Sequence, residues 1–365
     1  MMIKTNHSHG GNIHYYINNT SLPSKKMIDF SANINPLGLP KSVKETIIKN
    51  IKMITHYPQP HSDQLKIKLA AFHKINRNNL ITGNGSIDLI YLIPRALRIK
   101  TGLIITPTFS EYETALQLNN ARTIFFNVWK QNNFTIDEST LIPLIKKADL
   151  VFLCNPNNPT GTILFRDKIL NLLNVCREYN TFLVIDETFM NFAKAESRFS
   201  LLAEAPKYKN LIILRSLTKF FAFAGLRLGY AVGNRETIKL LSQYQYPWNI
   251  NFLAQIAGQK VIEETSYIKK SKDFIQKEKE YLYHQLNRIE GLKMYPPNVN
   301  FILGNLKSNA KIKNVKTLSE KMAKKGILIR DCSNFRGLNN TFFRVAVKTR
   351  RQNEQLVRLL KSILI

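Results

Sequence analysis

Three polar segments in the middle of the chain each follow an apolar run, and they carry an amide, a carboxylate and an amine. The segments read NPNNPTG around Asn158, DETF from Asp186, and SLTK ending at Lys219. An amine is a potential nucleophile, and a carboxylate can stabilise a nearby positive charge. Taken singly, each segment is more typical of a turn, a helix cap or a solvated surface residue. Their joint order is what indicates chemistry.

The elements that would position these groups alternate between strands and helices. Segments with helical spacing lie between apolar runs rich in β-branched or aromatic residues, and this alternation favours an α/β domain with a mostly parallel sheet. Because such sheets bind ligands outside the carboxyl ends of their strands, the three polar segments are expected at one edge. The predicted strands are 102–106, 123–128, 149–154, 181–185, 211–214 and 228–232.

The last third of the chain has a different pattern, which predicts a smaller α+β unit. A lysine-rich helix is expected over 269–289, with Gly291 at its carboxyl end. A capping-box pattern that starts at Thr349 predicts a final helix. The strands expected in this region are 300–303, 328–331 and 342–347.

The domain organisation that follows from these patterns has three parts. The first forty or so residues show little periodicity and are expected to form an arm that packs on another part of the molecule. We therefore predict an arm with part of the small domain at 1–45, a large α/β domain at 46–245, and a small α+β domain at 246–365.

Composition excludes several classes of protein. The chain has 365 residues, with 53 Lys and Arg against 25 Asp and Glu, but its net charge of +28 is spread along its length. A diffuse charge does not favour a nucleic-acid-binding protein, although a positive field favours anionic small substrates. Cys154, Cys176 and Cys332 are too few for a disulfide framework or a zinc site, so no metal is expected. No apolar run spans a bilayer, and the polar N-terminus lacks a signal sequence, which together predict a cytoplasmic protein without a membrane partner.

The three polar segments, followed by GLRLGY at 225–230, resemble the fold-type I pyridoxal-phosphate enzymes of the class I/II aminotransferase superfamily. The resemblance covers nearly the whole chain. It implies an α/β large domain, with a mostly parallel sheet flanked by helices, and a smaller α+β domain. It also implies pyridoxal 5′-phosphate as the cofactor and a homodimer with shared active sites.

The resemblance implies a role for each candidate residue. Lys219 would hold the cofactor aldehyde, Asp186 would keep the pyridine nitrogen protonated, and Asn158 would bond the phenolic oxygen. Phe109 would stack on the ring. Phe189 departs from the tyrosine of many relatives, which leaves Asn158 to bond the phenolic oxygen alone. The residues implied around the phosphate are Gly85, Ser86, Ser216, Thr218 and Arg227, with Tyr57 reaching it from the partner subunit.

Other stretches resemble a narrower branch, the threonine-phosphate decarboxylases of cobalamin synthesis. Histidinol-phosphate aminotransferases usually have an acidic residue in place of Ile34, and they lack the HGGN found here. The resemblance implies that Arg344 holds a substrate carboxylate, that Arg330 and His9 hold a phosphate, and that Asn33 shapes the pocket. The stretches are HGGN at 9–12, DFSANINPLG at 29–38, RSLTKFF at 215–221, YPWN at 246–249 and RDCSNFRGL at 330–338.

The residues alone supply the parts for both decarboxylation and transamination. Only the resemblance favours loss of carbon dioxide from L-threonine O-3-phosphate, giving (R)-1-amino-2-propanol O-2-phosphate for the cobalamin nucleotide loop. The alternatives are a histidinol-phosphate-type aminotransferase and a phosphoserine decarboxylase, with a basic nucleic-acid-binding protein as a third class. Phosphothreonine and phosphoserine differ by one methyl group, worth about 1–3 kcal/mol of discrimination in an apolar pocket, and the sequence does not separate them.

Overall fold

A seven-stranded sheet forms the centre of the computed structural model, which describes residues 9–13 and 27–364. A two-residue strand, β1 (Ile28–Asp29), precedes it. The strands of the sheet are β2 (Leu80–Gly83), β3 (Thr101–Thr106), β4 (Arg122–Asn127), β5 (Leu150–Cys154), β6 (Phe182–Asp186), β7 (Leu211–Ser216) and β8 (Gly229–Gly233). Their order is β2-β8-β7-β6-β5-β3-β4, and β8 runs antiparallel to both of its neighbours while the other pairs are parallel. The predicted α/β class and mostly parallel sheet are confirmed.

Helices cover both faces of this sheet, as the alternating pattern of the sequence predicts. One face packs on apolar side chains of α3, α4 and α7, and the opposite face packs on those of α5, α6 and α8. The helices up to this point in the chain are α1 (Lys41–Asn50), α2 (Asp63–His73), α3 (Ser86–Ala96), α4 (Glu111–Leu118), α5 (Glu138–Ile145), α6 (Arg166–Glu178), α7 (Arg235–Gln243) and α8 (Phe252–Val261).

The period of two along a strand decides which polar end groups share a face. Asp186 lies two residues after Val184 on β6, and Ser216 lies two residues after Leu214 on β7. Val184 and Leu214 both pack in the core that α3 and α4 cover. Asp186 and Ser216 therefore emerge on that same face, at the carboxyl ends of adjacent strands.

A second sheet, with four antiparallel strands, follows the central sheet in the chain. Its order is β12-β13-β10-β9, and apolar side chains from it join the core beneath the central sheet. The elements of this region are α9 (Thr265–Asn287), β9 (Leu292–Met294), β10 (Phe301–Leu306), α10 (Val315–Lys324), β11 (Ile327–Leu328), β12 (Arg330–Asp331), β13 (Phe342–Ala346) and α11 (Arg350–Leu364).

Two expectations for this region are wrong in detail. The single strand predicted at 328–331 is two short strands, because the chain changes partner at Ile329: β11 pairs in parallel with β1, whereas β12 pairs with β13. Gly291 is not a helix cap. Helix α9 ends at Asn287, and Gly291 adopts a φ of +81° in the turn before β9.

Strand β1 pairs with a distant element, and the predicted final helix is present as α11. Strand β1 belongs to the predicted arm, and its pairing with β11 places the arm beside the second sheet. At the start of α11 the Gln352 side chain accepts a hydrogen bond from the Thr349 hydroxyl at 2.9 Å, as the capping-box pattern predicts. The domain boundaries stay a prediction. Within the described residues, no helix is both long and apolar enough to cross a bilayer.

Candidate active site

A cavity of about 640 Å³ lies at the carboxyl-terminal edge of the central sheet, where β5, β6 and β7 end. The structure brings twelve of the fourteen predicted site residues to its wall. Gly85 lies behind this wall against Arg227, and Tyr57 lies outside the cavity. The twelve are His9, Asn33, Ser86, Phe109, Asn158, Asp186, Ser216, Thr218, Lys219, Arg227, Arg330 and Arg344.

Lys219 reaches the cavity from the segment that follows β7. Burial lowers the pKa of its amine to about 8, and the positive charges of Arg227 and Arg344 act in the same direction. The backbone around it is held in place, since the Lys219 carbonyl accepts a hydrogen bond from the Asn35 N–H at 3.0 Å. A nucleophilic amine is therefore available near neutral pH.

Asp186 places a buried carboxylate on the adjacent strand end. Its Oδ2 accepts a hydrogen bond from the Tyr112 hydroxyl at 2.7 Å, and its Oδ1 accepts one from the Thr188 N–H at 2.9 Å. Both donors are neutral, and burial raises the pKa of the carboxyl. A carboxylate in this position is suited to a cation or to a protonated nitrogen placed in the cavity.

The start of α3, together with β8 and the segment after β7, builds a concave anion site. A Cβ on Gly85, which has a φ of +78°, would lie 2.6 Å from Arg227 Nη2, and a Cβ on Gly229 would lie 2.3 Å from the Ser86 nitrogen. The hydroxyls of Ser216 and Thr218 are 2.7 Å apart at the same place. Free N–H groups at a helix N-terminus, a guanidinium and two hydroxyls are the donors that bind a phosphate.

Arg344 is buried in the wall of the same cavity. It donates hydrogen bonds to the Asn158 side-chain oxygen and to the Ser31 carbonyl, the latter at 3.0 Å. Burial lowers the pKa of its guanidinium to about 10, so the group remains charged at neutral pH. Asn33 is also buried, and neither polar atom of its side chain has a hydrogen-bond partner among the described residues.

Arg330 enters the same cavity from β12. Its Nη2 donates to the Asn334 side-chain oxygen at 2.8 Å, and its Nη1 donates to the Asp331 carbonyl. The guanidinium also lies over the Phe335 ring, 5.2 Å from the ring centroid. The stretch RDCSNFRGL at 330–338 therefore supplies Arg330 and also the Asn334 and Phe335 side chains that contact it.

The segment His9–Gly11, which we term the strap, lies on the wall of the cavity. The Gly11 N–H donates to Ser31 Oγ at 2.8 Å, and the Ser31 hydroxyl donates in turn to Asp29 Oδ1 at 2.6 Å. A Cβ on Gly10 would lie 2.3 Å from the Ser31 carbonyl oxygen. Gly10 is thus required for the strap to approach residue 31 closely, whereas Gly11 adopts a φ of +87°, which favours glycine.

Two residues of the site were missed by the sequence analysis. Glu111 lies 2.9 Å from His9 Nε2, and Tyr112 donates the hydrogen bond to Asp186. Both stand in the first turn of α4, directly after Phe109 and Ser110. Their position in the sequence could have indicated them, because Glu111 and Tyr112 directly follow the PTFS stretch that supplies Phe109.

Tyr57 lies on an exposed surface, with its side chain 84% accessible. Its ring contacts that of Trp248, with 5.2 Å between the centroids. Other apolar side chains on this part of the chain, Ile51, Met53 and Ile54, are exposed as well. Single exposed apolar residues are normal on a monomer, but a cluster with aromatics is typical of an interaction surface.

No group of three or more His, Cys, Asp or Glu residues that could hold a metal lies within 9–13 and 27–364. The three cysteines are buried and unpaired with one another. Burial raises the pKa of Cys154, beside the cavity, to about 12, so its thiol is not a nucleophile at neutral pH.

Comparison with known proteins finds one matching family, together with relatives of similar sequence and similar structure. The model of the family described as aminotransferase class I and II matches residues 25–363. A protein from Caldanaerobacter subterraneus, provisionally named a threonine-phosphate decarboxylase, is 38% identical over 98% of this chain and 94% of its own length. A histidinol-phosphate aminotransferase from Thermoanaerobacter pseudethanolicus is 34% identical over 94% and 95%. The crystal structure of L-threonine-O-3-phosphate decarboxylase from Porphyromonas gingivalis superposes with a TM-score of 0.81, at 28% identity over 91% of this chain and 98% of that one.

Proposed function

The chain belongs to the aminotransferase class I and II family, and within it we propose that this protein decarboxylates L-threonine O-3-phosphate with pyridoxal 5′-phosphate as its cofactor. The products are carbon dioxide and (R)-1-amino-2-propanol O-2-phosphate, and the second product is used to build the cobalamin nucleotide loop. The observation that carries the proposal is the meeting of His9, Asn33, Arg330 and Arg344 with Lys219 in one cavity. Such a wall suits a substrate with two anionic ends.

The residues present fit the cofactor. The cradle around Ser86 and Arg227 is open only because Gly85 and Gly229 lack a Cβ, and it offers the donors that a phosphate group requires. Asp186 is a buried carboxylate whose bonded neighbours are neutral, and it lies where a protonated pyridine nitrogen would stabilise its charge. When bound, pyridoxal phosphate supplies an electron sink for the pair released at the substrate Cα.

Two further residues orient the ring. Arg344 donates to the Asn158 side-chain oxygen, which turns the amide so that its NH₂ group is the part left to donate to the phenolic oxygen. Phe109 lies on the cavity wall and would cover one face of the ring. Phe189, with no hydroxyl to offer, is buried against Phe301, so Asn158 is the residue on which the phenolic oxygen depends.

Substrate binding divides between the two arginines. Arg344 would bind the α-carboxylate, because a planar guanidinium matches both carboxylate oxygens. Arg330 and His9 would bind the phosphate, and Asn33 would donate to one of these anions with its unpaired amide. By fixing the carboxylate, Arg344 sets which bond at Cα is aligned to break.

Lys219 would act last in the reaction, as the residue that transfers a proton. With a pKa of about 8, its amine both releases and accepts a proton near neutral pH. It would therefore deliver the proton from Nζ to the carbon that has lost carbon dioxide, as a general acid. Cys154 remains a neutral thiol beside the cavity and takes no part in this transfer.

A histidinol-phosphate-type aminotransferase is the second candidate, and the specific observation that favours it is the relative at 34% identity over 94% of this chain. That activity would use the same lysine, aspartate and anion cradle. It differs in the substrate and in the need for a 2-oxo acid as amino acceptor. A phosphoserine decarboxylase differs only in the loss of one methyl group from the substrate.

We also propose a homodimer in which the apolar surface around Tyr57 contacts a second copy. Tyr57 is 84% exposed and stands outside its own chain's cavity. In a dimer it would reach the phosphate cradle of the partner, which is the role that the family resemblance implies. A cytoplasmic location belongs to this proposal too, and it rests on the composition of the chain.

The test is product analysis with purified holoenzyme. L-Threonine O-3-phosphate, O-phosphoserine and histidinol phosphate are each incubated with and without 2-oxoglutarate, and products are identified by mass spectrometry with carbon dioxide release measured in parallel. We expect phosphothreonine to yield the phosphorylated amino alcohol at a rate that 2-oxoglutarate does not change. If histidinol phosphate and 2-oxoglutarate give glutamate while phosphothreonine is untouched, the aminotransferase takes the place of the decarboxylase. The Lys219→Ala variant serves as the control for non-enzymatic loss.

A further inference from the structure

The strap is attached to the rest of the molecule at two separate points. At one end the Gly11 N–H bonds to Ser31 Oγ at 2.8 Å, and Gly10 packs on the Ser31 carbonyl. At the other end His9 Nε2 lies 2.9 Å from Glu111 Oε1, and the His9 ring lies 5.7 Å from that of Phe109. The first attachment fixes the backbone of the strap, whereas the second fixes the imidazole.

Glu111 is a buried carboxylate outside the cofactor cradle, as Glu187 and Glu278 are, but unlike those two it lines the cavity. The residue is 8% exposed, in the first turn of α4. The Tyr91 hydroxyl from α3 donates a hydrogen bond to Glu111 Oε2. Burial and this bond raise the pKa of Tyr91, so the hydroxyl keeps its proton and remains a donor. Glu111 is thereby held on one side by a rigid helix and presents its other oxygen to His9.

Glu111 is one of the contacts that fix the position of the His9 ring, and it is the one made by a charged group. The His9 side chain is 46% exposed, so packing alone does not hold it, whereas the side chain of Glu111 is 11% exposed. An ordered carboxylate that fixes one ring nitrogen restricts the rotation of the imidazole. Without it, ordering His9 on the substrate would cost side-chain entropy at each binding event.

We propose that Glu111 is a positioning residue that holds His9 over the cavity and so sets the preference of this protein for a phosphorylated substrate. The proposal rests on the proposed function, because it takes the anion near His9 and Arg330 to be the substrate phosphate. Glu111 lines the cavity beside His9 and pairs with its imidazole, and we therefore assign its effect on the substrate to His9. Tyr91 supports it from the other side.

The test compares Glu111→Gln with Glu113→Gln in the holoenzyme. Glu113 lies in the same turn of α4 and loses the same charge, but it pairs with Arg336 at the surface, at 2.8 Å. We expect Glu111→Gln to raise KM for phosphothreonine roughly tenfold with kcat within about twofold, and to leave the visible spectrum of the bound cofactor unchanged. Glu113→Gln should leave both kinetic constants close to those of the unmodified protein.

A double-mutant cycle separates positioning from general damage. If Glu111 acts through His9, Glu111→Gln will add no further rise in KM when His9 is already alanine. The NMR resonances of the His9 imidazole should shift or broaden in Glu111→Gln without substrate present, which is a readout independent of activity, whereas exchange of the Gly11 amide, which is bonded to Ser31, should not change. Tyr91→Phe should reproduce a smaller part of the KM effect.

The outcomes distinguish this inference from the proposed function. Equal KM values for Glu111→Gln and Glu113→Gln, or additive effects of the Glu111 and His9 substitutions, would overturn the positioning role. If the unmodified protein consumes histidinol phosphate in place of phosphothreonine, the proposed function fails. The same comparison then proceeds with histidinol phosphate, and a KM rise confined to Glu111→Gln would still support the role of Glu111.

Discussion

Arg330 and Arg344 are directly opposite one another on the antiparallel strands β12 and β13, and both are buried at the wall of the same cavity. Like charges in this cross-strand position repel and destabilise a sheet. Burial lowers the pKa of Arg344 to about 10, with the charge of Arg330 acting in the same direction. Such a pair is stabilised when anions bind between or beside the two guanidinium groups, which is what a substrate with a carboxylate and a phosphate would supply.

The first prediction separates the two arginines. Arg330→Ala should lower kcat/KM for phosphothreonine at least roughly a hundredfold while leaving cofactor affinity nearly unchanged, because it removes a buried charge partner of the phosphate. Arg344→Ala should lower kcat/KM and also shift the visible spectrum of the bound cofactor, since the Asn158 amide loses the donor that orients it. Steady-state kinetics and absorption spectra check both. Arg336→Ala, at the surface, is the control, and a loss of cofactor affinity in Arg330→Ala would contradict this division of roles.

The second prediction concerns Lys219. Replacement by alanine should abolish turnover, and borohydride should no longer fix the cofactor to the chain. In the unmodified protein without cofactor, the rate of cofactor capture should rise with pH and level off above about 8, because only the neutral amine is a nucleophile. The sign follows from burial, which lowers the pKa from 10.5 and so leaves about a tenth of the amine neutral at pH 7. Full activity in Lys219→Ala would end the assignment of the cofactor.

Much of the catalytic edge could be predicted from the sequence, for a physical reason. Asp186 ends a buried strand, and Asn158 and Lys219 lie in the loops that directly follow the two strands on either side of it, so the parallel order of these strands brings all three residues to one edge of the sheet. Because side chains alternate between the two faces of a strand, Asp186 and Ser216 then lie on the same face of the central sheet. These are local rules, and the structure follows them.

The parts that could not be predicted depend on contacts between distant segments. Nothing in the sequence around His9 indicates that Gly10 packs on Ser31, or that Glu111 is the partner of the imidazole. The change of strand partner at Ile329 depends likewise on β1, some three hundred residues earlier in the chain. Sequence patterns and residue propensities describe single segments, whereas each of these features depends on a contact between two segments that are distant in the sequence.

The third prediction concerns Asp186. Asp186→Asn keeps the size of the side chain and an oxygen for the Thr188 N–H, but it removes the charge. We expect kcat to fall at least roughly a hundredfold, on the scale of lost electrostatic preorganisation. Tyr112→Phe, which removes only the hydroxyl bonded to the same carboxylate at 2.7 Å, should cost much less. Single-turnover kinetics at saturating cofactor check this order, and a near-normal rate in Asp186→Asn would make the residue a structural one.

The fourth prediction tests the phosphate cradle through two glycines of β8. A Cβ on Gly229 would lie 2.3 Å from the Ser86 nitrogen, so Gly229→Ala must displace the start of α3 and should weaken cofactor binding by roughly a hundredfold. Gly233 lies on the same strand, and the atoms nearest to its Cβ would be 3.4 Å away. Gly233→Ala should therefore bind the cofactor almost normally. Equilibrium titration of the cofactor measures both, and equal affinities would place the phosphate elsewhere.

The last prediction tests whether two subunits share each site. Tyr57→Ala should bind the cofactor weakly, and Lys219→Ala should be inactive. If Tyr57 completes the site of the partner subunit, a hybrid dimer of the two variants contains one site with both residues intact. Mixing the two proteins under conditions that permit subunit exchange should then restore activity at limiting cofactor.

The control for this complementation uses two residues of the same cavity. Lys219 and Asp186 line the cavity of a single chain, so a hybrid of Lys219→Ala with Asp186→Asn has one defect in each site and should stay inactive. The quantity to compare is the activity of the two mixtures, because any general effect of mixing or subunit exchange is the same in both. Restoration in neither mixture would mean that Tyr57 does not complete the site of a partner subunit. In that case the exposed surface around Tyr57 and Trp248 would need a different partner, since the cavity of its own chain excludes it.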